Sequence, residues 1–245
     1  MPKFSNQYCI HCLGYFKELT EDHIFPVSWY PDSTPENLEK WTAPSCEECN
    51  QKLGKIESEI CLRVGPATNP SDSAASGIAE STMRRIKPDL ARDSRSKGRK
   101  IAELKKLFKE FVVTTNLPPA IMKNFGPSNK STRYHILFLP YDKLLDPFAE
   151  KIIRGLEYKL YNRFVTRDKI IRPVYLPDST HFNEIEQLKE IIKQNGKETN
   201  RGPGFIIEHA HDKHGTFLYH ITIWGKFKFW ADVTSKHLEG GSNQI

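Results

Sequence analysis

Four of the five cysteines in this chain come in two C-x-x-C pairs, Cys9/Cys12 and Cys46/Cys49; the fifth is Cys61. Paired cysteines in a protein of reducing compartments bind metal more often than they form disulfides. Two such knuckles supply four thiolates, the donor set of a tetrahedral structural Zn²⁺, so a Cys₄ zinc site is expected. Two unrelated redox or buried pairs are the alternative. Cys61 sits in an apolar run, Ile60-Cys61-Leu62, and reads as a small buried side chain.

Between the knuckles runs Glu21-Asp22-His23-Ile24-Phe25-Pro26. A carboxylate beside an imidazole is a pair a metal-assisted hydrolase can use. The carboxylate binds a hard divalent cation, and the imidazole takes a proton from water. Neighbouring strand residues face opposite ways, so Asp22 and His23 are expected to have different roles. Asn50 follows the second knuckle directly and opens a helical stretch through Glu57. Its amide oxygen could complete a metal site with Asp22, or its side chain could cap the helix. Glu57 lies two helical turns on, on the same face as Asn50. It reads as an exposed residue, with a carboxylate just outside the metal's ligands as the alternative. His11, inside the first knuckle, reads as solvent-facing or phosphate-contacting.

This order of motifs, C-x-x-C, Asp-His-Ile-Phe-Pro, Asn37-Leu38 and C-x-x-C-Asn, resembles the HNH, or ββα-metal, endonucleases. It is most similar to the zinc-stabilised members whose second knuckle runs into the last motif residue, as in phage junction resolvases. The resemblance covers about residues 8–60. It implies that His23 is the general base activating water for attack on a phosphodiester. Asp22 and Asn50 would bind one Mg²⁺ or Mn²⁺, Asn37 would position the loop around the base, and the product would carry a 5′-phosphate.

The elements that must position these residues suggest an α+β protein. Residues 1–64 form the zinc-bound ββα unit, 65–132 a linker and basic helix, and 133–245 a C-terminal α+β domain with an antiparallel sheet. Residues 65–82 are small and polar and read as linker or loop. A helix at about Gly98–Val113 carries Ile101, Leu104, Leu107, Phe108 and Phe111 as a core-facing stripe. Further on, Tyr134–Leu139 reads as a buried strand. Asp146-Pro147 reads as a cap and first turn opening a helix to about Phe164. Ile170–Leu176 reads as a strand, Asn183–Gln194 as a helix and Phe205–Glu208 as a strand. Phe217–Trp224 and Phe227–Val233 form a hairpin about a Gly225-Lys226 turn. Its Trp224, Phe227, Phe229 and Trp230 read as core. His209, His211, Asp212 and His214 are dense enough for a second metal site, although turn histidines are usually solvated.

The net charge is +6, unevenly spread. Residues 1–60 carry 5 basic against 10 acidic groups, and residues 84–110 carry 11 against 4. Arg84, Arg85, Arg95, Lys97, Arg99 and Lys100 in that basic stretch can neutralise phosphates, which points to DNA, or RNA, as partner. Without an apolar run of the roughly 20 residues that cross a bilayer, and without a leader-like N-terminus, a cytoplasmic protein is expected. A homodimer would let two sites cut two strands. Two other classes fit the sequence. One is a non-catalytic zinc module that binds nucleic acid. The other is a latent nuclease subunit of a defence or mobile-element system.

Overall fold

Period-two alternation in the last third of the chain builds most of the sheet structure. A computed structural model describes residues 4–115, 134–137, 139–176, 181–211 and 217–236. Five antiparallel strands lie in the order β6-β10-β9-β8-β7: β6 (Lys169–Val174), β7 (Gly196–Asn200), β8 (Phe205–His211), β9 (Phe217–Ile223) and β10 (Phe227–Ser235). Phe205, Ile207, Tyr219, Ile221, Phe227 and Phe229 are buried, as are Trp224 and Trp230, so these aromatics are core. Gly196–Asn200, polar and with no buried residue, has no hydrophobic pattern to mark it as a strand. It pairs with β8 because a helix delivers it to the sheet edge.

The hairpin turn is one residue earlier than the glycine alone suggests. Trp224 (φ 52°) and Gly225 (φ 71°) are its central residues, closed by Lys226 N–H donating to Ile223 O at 3.1 Å. Left-handed backbone is strained for an indole residue. Burial of the ring and donation of Trp224 Nε1 to Trp29 O at 2.7 Å offset that strain.

Helix α4 (Asp146–Tyr161) lies on one face of this sheet, with Phe148, Ala149, Ile152, Ile153 and Leu156 essentially excluded from solvent. Asp146 has helical backbone and follows a wide turn, Tyr141–Leu145, so it begins the helix rather than capping it. Helix α5 (Phe182–Asn195) covers the other face with Ile185 and Ile192 against Ala210 and Trp230.

The N-terminal part forms a separate three-stranded sheet, β1 (Phe4–Tyr8), β2 (Tyr15–His23) and β3 (Thr42–Ser45), in that order. Helix α1 (Glu47–Val64) follows β3. The described chain also contains α2 (Ile78–Ile86), α3 (Ser94–Glu110) and a small ladder of β4 (Val112–Thr114) with β5 (Tyr134–Ile136). The protein is therefore α+β, with a five-stranded antiparallel sheet, a three-stranded sheet and packed helices.

The two sheets share one core. Phe25 stacks on Phe205 at 4.2 Å between ring centroids, and Trp29 meets both Phe148 and Trp224. The loop after His23 is thus pinned between α4 and the large sheet. Ala75, Ile78 and Thr82 are also buried, so the stretch read as linker packs as turns and helix on α1. The stripe on α3 is only partly inward: Leu107 is buried, whereas Ile101 and Phe108 are exposed. Aspartate and histidine at 212 and 214 lie outside the described residues.

Gly155 lets α4 approach the end of β2. A Cβ there would stand 2.8 Å from Ile24 Cγ1. Gly155→Ala is therefore expected to lower stability by about 1–3 kcal/mol, through overpacking, measured as a shifted urea midpoint.

Candidate metal centre and polar site

The knuckle Cys9–Cys12 turns back at the end of β1, with Leu13 in left-handed backbone (φ 60°) and Leu13 N–H donating to Cys9 O. The second knuckle spans the start of α1, with Cys46 as the residue before its first turn. All four sulfur atoms lie within 4.8 Å of one another, and Cys12 Sγ and Cys46 Sγ are 3.9 Å apart. A tetrahedron with Zn–S bonds of ~2.3 Å has S···S edges of about 3.8 Å. The spacing and donor set therefore fit a zinc ion. Burial pushes the Cys9 thiol up, but backbone N–H groups of Cys12, Cys46 and His11 bring it below its usual value. The thiolate a metal needs is favoured there.

Antiparallel pairing of β2 with β3 sets Asp22 opposite Ala43 and His23 opposite Thr42. β3 leads directly into α1, so the second knuckle places the helix start against β2. Asn50 Nδ2 donates to Thr20 Oγ1 at 2.9 Å and to Glu21 O at 3.5 Å. Asn50 thus meets β2 immediately before Asp22. The sulfur cluster, β2 and the helix start are brought together as their spacing suggested.

The neighbourhood of Asp22 was not legible in the sequence. Its carboxylate is buried, 7% exposed as a side chain. Oδ2 accepts from His11 Nε2 at 2.8 Å, and Oδ1 lies 3.1 Å from Lys151 Nζ on α4. Burial alone would raise the Asp22 pKa, but Lys151 and His11 bring it below the usual value. His11 is also buried, and burial lowers its pKa despite Asp22. Neutral His11 is therefore the donor to an ionised Asp22. The solvent-facing reading of His11 is corrected: the first knuckle aims its ring inward at Asp22. Glu57 is likewise not an exposed residue. Its side chain is 14% exposed and Oε1 is 2.6 Å from Lys151 Nζ. Seven residues of helix carry it from the Asn50 level to the level of α4.

His23 is half-buried, on the opposite side of β2 from Asp22. Burial, then the Lys151 charge, hold its pKa below the usual histidine value, so the ring is neutral at pH 7 with a lone pair to offer. Asn37 lies exposed in the β2–β3 connection, and among the described residues its side chain makes no hydrogen bond that would fix the loop around His23. A cleft of about 120 Å³ opens beside Glu57, lined by Pro26, Ser28, Trp29, Ser58 and Arg85.

Arg84, Arg85, Arg95, Lys97 and Arg99 are exposed. Arg85 donates to Ser58 Oγ at 3.2 Å, which puts this basic residue at the cleft. Lys100 does a different job: Nζ donates to Arg84 O at 2.9 Å and ties α3 to α2. His209 bonds Tyr161 through Nδ1 at 2.6 Å, and His211 stacks on Phe217. Among the described residues the four-cysteine group is the one cluster of three or more metal-ligating side chains. No helix among them is long and apolar enough to cross a membrane.

Comparison with models of known protein families, with curated proteins and with solved structures finds no match.

Proposed function

We propose that this protein is a metal-dependent endonuclease of the HNH type that hydrolyses phosphodiester bonds in DNA. One observation carries the reading. An Asp-His pair ends β2, β3 returns antiparallel, and a Cys₄-stapled helix start holds Asn50 against β2 beside Asp22. A non-catalytic zinc module would need the cysteines but not these three residues.

His23 would take the proton from water, and its neutral ring suits that role. Asp22, kept ionised by Lys151 and His11, and Asn50, beside it on α1, are donors of the kind a hard divalent ion takes. When bound, Mg²⁺ or Mn²⁺ would supply positive charge against that developing on the phosphate and leaving oxygen. The family resemblance sets the product as a 5′-phosphate. Zinc would serve the fold, by fixing the helix start on β2.

The test is cleavage of supercoiled plasmid by zinc-loaded protein with Mg²⁺ or Mn²⁺. Nicked or linear product is expected; intact plasmid at every metal concentration would refute an autonomous nuclease. A second reading, a latent nuclease activated by a partner, is favoured by the Lys151–Asp22 pairing, which already engages the carboxylate a metal must reach.

The exposed basic residues on α2 and α3 would bind phosphates. Neutralising Arg84, Arg85, Arg95 and Lys97 is expected to flatten the slope of log K against log salt by about 0.9 for each phosphate that is no longer neutralised. Binding isotherms between low and moderate salt measure it, and an unchanged slope would remove this stretch from the footprint.

A further inference from the structure

Lys151 is a buried charge. It lies on α4, in the middle of the chain's largest core, and its side chain is 2% exposed. Lysine is almost never this buried unless it is paired. Its ammonium is surrounded by oxygen. Asp22 Oδ1 is at 3.1 Å and Glu57 Oε1 at 2.6 Å. It also donates to the main-chain carbonyls of His23 and, at 3.2 Å, Ile24. Two carboxylates and two carbonyls make the kind of oxygen shell that hard divalent cations take. Three segments distant in sequence converge to build it: the end of β2, the middle of α1 and the second turn of α4. Glu57 also lines the 120 Å³ cleft.

We propose that the Lys151 ammonium is a tethered cation occupying this oxygen site, and that it acts as a positioning residue for the Asp22–His23 strand end. By binding the carbonyl of His23 and the carboxylate of Asp22 together, it fixes the two residues relative to each other. It also neutralises Glu57, which therefore serves as counter-charge to Lys151 and not as a metal ligand. A divalent ion is then kept off the Glu57 side of Asp22. The positioning role rests on the nuclease reading; the occupancy of the oxygen site does not.

The experiment counts Mn²⁺ bound to zinc-loaded protein, by titration with electron paramagnetic resonance. Lys151→Met keeps the unbranched stem as far as Cε and removes the charged Nζ, which leaves the space among the oxygens open. It is expected to bind one Mn²⁺ per chain more than wild type, whatever number wild type binds. Lys151→Arg, which keeps the charge, and the double variant Lys151→Met/Glu57→Gln, which lacks the second carboxylate, are expected to gain none. A purely structural lysine would lower the melting temperature of the variants without changing the count. If Lys151→Met is unfolded alone, added Mn²⁺ is expected to restore its melting transition, because the ion replaces the lost charge. No extra ion in the folded variant, or no restoration of an unfolded one, would overturn the proposal. Failure of the nuclease reading shows separately, as no plasmid cleavage and no Asp22-dependent ion in wild type.

Discussion

Replacing His23 by alanine is expected to lower plasmid cleavage by about 10²–10⁴-fold, the usual worth of a positioned general base. Single-turnover cleavage, with wild type alongside, measures it. The variant is informative because His23 holds its surroundings through its main chain. Its backbone pairs with Thr42, and its carbonyl accepts from Lys151. Neither interaction needs the ring, which is only half-buried. The folded state should therefore survive, and zinc content and DNA binding should match wild type. Cleavage retained within a few-fold would remove His23 as the base. Asp22 is a poorer probe of the same question. Its carboxylate is the buried partner of both Lys151 and His11. Deleting one member of a buried ion pair costs about 3–5 kcal/mol, so lost activity there would mix chemistry with unfolding.

Loss of zinc is expected to have the largest effect on folding, and a local one. Cys46→Ser, or a strong chelator, should take the metal content from one zinc per chain to none. On the order of 10 kcal/mol of folding free energy is held in such sites. The N-terminal sheet has little else of its own. Cys9, Leu19 and Cys46 are its buried cluster, with Phe4, Phe16 and Cys49 packed partly against it. The large core around α4 and the five-stranded sheet contains none of the four paired cysteines. Hydrogen exchange should therefore accelerate in β1, β2 and the first turn of α1, while β8, β9 and β10 remain protected. A variant lacking zinc that keeps full protection in β1 and β2 would show that the sulfur cluster does not hold this sheet.

The residues that group the site were legible where the signal is local. The two C-x-x-C spacings predict four sulfurs about one ion, and the sulfur atoms lie within 4.8 Å. Alternation predicts the hairpin of β9 and β10, and the four-residue repeat of Phe148, Ile152, Leu156 and Leu160 predicts α4. Asn50 directly after Cys49 places it in the first turn of α1, against β2. These features follow from bond geometry and short-range periodicity, which the chain carries in any tertiary context.

What the tertiary structure alone decides is the electrostatic setting of that site. Lys151 is more than a hundred residues from Asp22 in the chain, and nothing in the repeat of α4 distinguishes it from a solvated lysine on a helix. Only the wedging of Ile24, Phe25 and Trp29 between α4 and the large sheet brings its ammonium to Asp22 and Glu57. His11 is turned inward for a similar reason, because the knuckle that carries it folds over β2. A charge buried beside another charge depends on which surfaces pack together, and that is a property of the whole fold and not of local spacing.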